Sequence, residues 1–183
     1  MERNKRAVIL LGLVEELRNN LSWCGETHIQ KATYFLQEMM QVPLGFNFIL
    51  YKHGPFSFDL TDEITAMRAD NLLKLQPQPY PYGPSILPGE ASESLIKRFP
   101  KTLKKYSHHT ALVAEKLGGK KVSELEKLAT ALYVTFENKS SGDVQSRAQR
   151  IHDLKPHVSL EEALEATKTV DQFTEDSRNI LAA

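Results

Sequence analysis

Residues 26–40, ETHIQKATYFLQEMM, residues 46–58, FNFILYKHGPFSF, and residues 59–70, DLTDEITAMRAD, carry the signal that decides the fold. They read as a helix, a short strand, a Gly-Pro turn and a second helix. Thr27 and Gln30 make a T-x-x-Q capping box at the start of the first helix. Ile29, Ala32, Leu36, Met39 and Met40 then recur on one helical face. Phe46, Phe48 and Leu50 alternate with Asn47, Ile49 and Tyr51, a dense run of strand formers. The turn His53-Gly54-Pro55 is predicted to end that strand, because Pro55 cannot donate to a ladder and its fixed φ suits the first turn of a helix. Phe56, Leu60, Ile64 and Met67 give the second helix its apolar face. Ser57 is placed to cap it, with Asp59 and Asp62 complementing its dipole.

A proline-studded segment follows at once. Leu73 and Leu75 alternate with Lys74 and Gln76, and Pro77, Pro79 and Pro81 continue at period two. Prolines at that period delete donors along one edge only, so the segment reads as an irregular wing with a blunted edge. The order predicts a winged-helix-like core over residues 1–90, opened by a helix over about 4–20 whose inward stripe is Leu10, Leu13, Val14, Leu17 and Leu21. Residues 91–183 read as a helical layer packed on that core. Pro100 interrupts its first helical patch, Gly118-Gly119 ends the next helix, and Ser123 with Glu126 opens another, carrying Leu125, Leu128, Leu132 and Phe136 inward. Asn138 to Gly142 reads as a loop. Asp143 caps a further helix, and Ser159 with Glu162 boxes the last one, which carries Leu160, Leu164 and Val170. The fold class is α+β, mainly α.

The segments HIQKATYFLQ, ILYKHGPFSFDL and LATALYV resemble the YwgA-like proteins of bacteria and archaea. More distantly the chain is similar to the SocA-like (Panacea) antitoxin domain, whose hallmark is a Leu-Gln-Lys helix followed by a Tyr-Gly-Pro turn. The corresponding residues are Ile29, Gln30 and Lys31, then Lys52, His53, Gly54 and Pro55, with His53 where that pattern has a tyrosine. The YwgA-like group supplies no catalytic residues to carry over. The antitoxin resemblance implies binding to a toxin or regulatory partner rather than chemistry.

At 183 residues the chain has room for a sizeable core in one compact unit. Lys plus Arg equals Asp plus Glu, so net charge draws it neither to nucleic acid nor to an anionic membrane. Cys24 is the single cysteine, which excludes an intrachain disulfide and points to a reducing compartment. The apolar start, Ala7 to Val14, runs straight into Glu15, Glu16 and Arg18 without a small-residue cleavage site, so it reads as a core helix rather than a signal peptide. No stretch is long enough to span a bilayer. These observations predict a cytoplasmic protein.

Residue types that could carry chemistry occur without the company that chemistry needs. Cys24 and His28 lie four apart, but a structural zinc site takes four such ligands. His53, Ser57 and Asp59 share one turn, whereas a hydrolase triad is converged by tertiary structure beside an oxyanion donor. His152 and His157 read as surface and loop histidines. There is no phosphate-binding glycine loop, and no cofactor or metal is expected.

Charge placement separates the functional readings. A groove-entering helix needs Arg, Lys, Asn or Gln. The second helix instead carries Asp59, Asp62, Glu63 and Asp70 against Arg68, so these carboxylates are the candidate face for a protein partner, a toxin, a regulator or a second copy of the chain. Basic residues gather later, at Lys97, Arg98, Lys101, Lys104 and Lys105 and on to Lys116, Lys120 and Lys121. They are the candidate face for a phosphate backbone. The last helix is acidic. The leading expectation is a non-enzymatic regulatory or protein-interaction module, antitoxin-like or defence-associated. The alternative is a winged-helix nucleic-acid-binding regulator of transcription, and an enzyme comes third.

Overall fold

The computed structural model describes residues 1–80, 83–137 and 142–181. Pro81 and residues 138–141 of the expected loop lie outside the described residues. The chain is mainly helical, with two small antiparallel sheets among the described residues. Among the described residues no helix is long and apolar enough to cross a membrane.

Helix α1 (Arg3–Asn19) is the central rod. Ala7, Val8, Ile9, Leu10, Leu11, Gly12, Leu13, Val14 and Leu17 are all buried. A helix that is apolar all round is enclosed on all sides rather than laid on a surface. The expected single stripe was therefore too narrow, and Leu21 lies outside it, 89% exposed. Helix α5 (Pro100–Leu117) packs against α1 most extensively. A Cβ on Gly12 would come within 2.9 Å of Leu103 Cδ1, so the glycine sets how closely the two helices approach.

Helix α2 (Glu26–Glu38) is capped by Gly25 without a side-chain hydrogen bond, so the Thr27–Gln30 box does not form. Gln30 has turned inward, for a reason given below. Strand pairing is confined to β1 (Ile49–Tyr51) and β2 (Gly54–Phe56), shorter than the expected strand from Phe46. Phe46 is buried instead, its backbone N–H and carbonyl held by the Gln37 side chain at 2.9 Å each. Pro55 sits opposite Leu50 in β2 and not in the first turn of a helix. That turn begins after Ser57, whose Oγ accepts from Leu60 N at 3.3 Å to cap α3 (Phe58–Ala69).

The segment read as a wing forms a two-stranded hairpin, β3 (Leu73–Gln76) paired with β4 (Ser85–Pro88). Pairing stops at Gln76, before Pro77 and Pro79. The β3–β4 hairpin is tied to the α1–α2 link where Ile86 N donates to Cys24 O at 2.8 Å. Its sheet is separate from that of β1 and β2.

The second half continues with α4 (Ser92–Arg98), α5, α6 (Val122–Glu137), α7 (Val144–Leu154) and α8 (Leu160–Leu181). Pro100 opens α5 rather than merely ending α4. Asp143 caps α7 through Ser146 N, and Ser159 with Glu162 forms the expected reciprocal box. In place of the Ser123–Glu126 box, Lys121 N donates to Glu124 two residues earlier than read, and only half of a box is made because a lysine side chain cannot accept the return bond. Phe136 and Leu160 are exposed. Helix α6 is the second hub, packing on α2, β2, α7 and α8. The buried residues of both halves form one hydrophobic cluster, crossed by the Phe35–Phe173 ring contact.

Candidate functional site

The β1–β2 hairpin is gripped from below by two adjacent side chains of α2. Gln30 Nε2 donates to Ser57 O at 2.9 Å and to Thr61 Oγ1 at 3.1 Å, while Gln30 Oε1 accepts from Ser57 N at 3.0 Å. Lys31 is 2% exposed, and its Nζ donates to Pro55 O at 2.8 Å. A side-chain amide that satisfies both backbone groups of one buried residue substitutes for a missing ladder partner. That pairing draws Gln30 away from the helix end.

A second lysine holds the other strand. Lys155, just beyond α7, donates from Nζ to the carbonyls of Tyr51 and Lys52. Between the two lysines lies Glu126 of α6. Its Oε1 is 3.6 Å from Lys155 Nζ and 3.3 Å from His157 Nε2, and its Oε2 is 3.5 Å from His53 Nδ1. Glu126 Oε1 is buried without a hydrogen bond among the described residues, so its stabilisation is charge attraction in a low-dielectric site. Burial lowers the Lys31 ammonium to about 8, with Glu126 opposing that shift and Lys155 reinforcing it. Gly54 closes the arrangement. Its φ is +83°, and a Cβ there would stand 3.1 Å from Thr130 Oγ1 of α6. The turn His53-Gly54-Pro55 is thus packed against α6, with Gly54 against Thr130 and His53 beside Glu126.

The pinned hairpin presents aromatic side chains outward. Tyr51 is 54% and Phe58 is 55% exposed, and Ile49 is also exposed. The rings of Tyr51, Phe56 and Phe58 lie 5.1–5.8 Å apart, within the range of aromatic pairing. Exposed aromatics held on rigid backbone are the usual makings of a binding surface.

The three carboxylates expected to form one docking face do not share it. Asp59 and Asp62 are exposed beside the aromatic patch, and Asp59 Oδ2 accepts from Asn47 N at 3.3 Å. Glu63 points the other way and is buried. It pairs with Arg3 at 3.1 Å and with Arg6, fastening α3 to α1. Removing Glu63 from the expected face follows from helical geometry, since residues 60, 63 and 67 fall on the buried side of α3.

The basic stretch is exposed but partly neutralised. Lys97 pairs with Glu93 at 2.6 Å. Arg98 stacks on Phe99 and Lys105 on Tyr106. Lys101 and Lys104 are exposed on α5. Lys116 pairs with Asp176 at 2.8 Å, and Lys127 with Glu162 at 3.0 Å. Arg147 makes a two-pronged contact with Asp171, both bonds at 2.7 Å. The acidic last helix therefore finds part of its positive complement within the chain.

The remaining chemical candidates are separated. Ser57 is buried as a cap, His53 faces Glu126, and Asp59 faces Asn47, so they do not converge. Burial raises the Cys24 thiol to about 12. His28 Nε2 donates to Leu117 O and its Nδ1 accepts from Ser22 Oγ, both at 2.9 Å, and burial lowers its pKa. His152 Nδ1 donates to Val158 O at 2.7 Å, bracing the α7–α8 turn, while His157 reaches Glu126 rather than solvent alone. Among the described residues no group of three or more His, Cys, Asp or Glu side chains could hold a metal ion.

Sequence reasoning missed Lys31, Glu126 and Lys155 as a set. Every residue from His28 to Leu36 is buried, so α2 is enclosed on all sides and its lysine has no route to water, but that is a fact of the packing and not of the local sequence. Nothing local marks Glu126 or Lys155, which are brought in by the packing of α6 and the α7–α8 turn. No protein-family model matches the chain, and no curated protein sequence matches it either.

Proposed function

We propose that this chain is a non-enzymatic protein-interaction module, regulatory and antitoxin-like or defence-associated in character, which docks its partner through the β1–β2 hairpin and the first turns of α3. The observation that carries the reading is the aromatic cluster of Tyr51, Phe56 and Phe58, with Tyr51 and Phe58 exposed, on a backbone held by two buried lysines. Pre-ordered aromatics lose little entropy on binding and make the strongest anchors at interfaces. Asp59 and Asp62 flank the cluster, so the fitting partner segment is apolar with basic residues at its rim. The likeness of the Gln30-Lys31 and Gly54-Pro55 segments to the Panacea hallmark supports the same class of role. So does the helix–hairpin–helix–wing order, which supports a winged-helix-like core used for protein rather than DNA.

A photo-crosslinking residue at position 51 identifies the partner, and the purified partner is then titrated. Phe58→Ser is expected to weaken binding by at least about 30-fold, and Asp59→Lys with Asp62→Lys to weaken it further. A partner whose affinity ignores both changes overturns the proposal. Tight, sequence-selective DNA binding at physiological salt, lost on changing Lys101, Lys104 and Lys105 to Glu, would favour the nucleic-acid reading instead.

A further inference from the structure

On another face of the molecule, the α1–α2 link, α3, the β3–β4 hairpin and the α5–α6 turn enclose an open groove of about 950 Å³. Its apolar walls include Leu21, Trp23, Leu75 and Val122, all substantially exposed. Among the described residues that line it, three are cations, Arg68 from α3 and Lys120 and Lys121 from the α5–α6 turn, against one carboxylate, Glu26. Glu26 is engaged by Thr61 Oγ1 at 2.9 Å, and Lys120 shares Glu124 at 3.6 Å.

Leu21 is the informative residue. The turn that ends α1 closes with Ser22 N donating to Leu17 O at 2.9 Å, which puts Leu21 in the left-handed region at φ +64°. Helix ends of this kind favour glycine or asparagine there, because a Cβ is strained. A leucine can compensate by burying its side chain, but this one is 89% exposed. The isolated fold gains neither backbone ease nor apolar burial from it. Strain of this kind persists where something outside the local structure uses it, and here the side chain forms part of the groove wall.

We propose that the groove receives an apolar, acidic segment of a partner polypeptide, with its aliphatic or aromatic side chains against Leu21, Trp23 and Val122 and its carboxylates towards Arg68, Lys120 and Lys121. The volume suits a few residues of peptide. The charge requirement is opposite to that of the aromatic hairpin surface, so the two sites select different chemistry and neither depends on the other.

The chain has a single tryptophan, Trp23, whose indole N–H donates to Gly83 O at 3.3 Å on the groove wall, so its fluorescence reads occupancy directly. A phage-displayed library of random dodecapeptides panned on the full chain is expected to enrich sequences that combine acidic with apolar residues. A synthetic peptide of the enriched consensus should shift Trp23 emission on binding. Leu21→Asn should raise the melting temperature yet weaken the peptide at least tenfold. Lys120→Gln with Lys121→Gln should weaken it and flatten its salt dependence, whereas Phe58→Ser should change nothing. The inference is overturned by failure to enrich, by enrichment of basic peptides, or by binding that leaves Trp23 unmoved. It is equally overturned if Leu21→Asn binds like wild type, or if that change lowers stability, which would make Leu21 a structural residue.

Discussion

Replacing Lys31 by Met tests whether a charged amine is really confined beneath the hairpin. At neutral pH the wild-type amine is ionised in both states, and the folded state carries the cost of burying it. Its folded value is about 8 against 10.5 for an unhindered lysine. Between those values the unfolded chain holds more protons than the folded one, so wild-type stability rises with pH across that window and the gain is lost as pH falls through 8. A difference of this size corresponds to about 3 kcal/mol. Cys24 and Tyr34 work the other way, because burial raises both and the unfolded chain releases those protons first. They are common to both proteins and cancel in the comparison. The variant also leaves Pro55 O without its donor, a loss of about 1–3 kcal/mol that does not vary with pH. Urea unfolding followed by circular dichroism at intervals from pH 7 to 10.5 gives the comparison. The wild type should gain about 3 kcal/mol relative to Lys31→Met over that range, with unchanged urea slopes. A difference that stays flat would refute the claim that burial holds the Lys31 ammonium below its ordinary value, and a gain well above about 3 kcal/mol would mean that the amine is already neutral at pH 7.

Three further outcomes follow from the same geometry. Glu126→Ala leaves Lys155 and Lys31 without their shared carboxylate and should cost about 3–5 kcal/mol in chemical denaturation, far more than the ~0.5–2 kcal/mol expected for losing the cap in Ser57→Ala. Gly54→Ala puts a Cβ at φ +83° and 3.1 Å from Thr130 Oγ1; it should destabilise by more than about 1 kcal/mol and weaken docking at the hairpin, as read by melting temperature and partner titration. Cys24, buried with its thiol raised to about 12, should react with a thiol-directed dye at pH 8 only at the rate of opening, so that adding urea accelerates labelling in step with unfolding.

Features that depend on a few neighbouring residues were legible in the sequence. The caps at Ser57, Asp143 and Ser159 join groups three residues apart, and the apolar spacing of Leu60, Ile64 and Met67 is written along a single helix. The mainly helical class follows from such signals. Tertiary structure decided where equally plausible local patterns did not form. Thr27 and Gln30 fit a capping box, but Gln30 is taken by Ser57, 27 residues away, where leaving both buried backbone groups unpaired would cost more than an uncapped helix end. Ser123 and Glu126 fit another, but Glu126 is held between Lys155 and two histidines. Glu63 looked like one of three surface acids until α1 brought Arg3 and Arg6 to it. Local hydrogen bonds and helical periodicity are fixed by short-range geometry, and so the sequence alone determined them. Which polar side chain is buried, and which charge it meets there, depends on elements up to a hundred residues apart, and only their packing decided it.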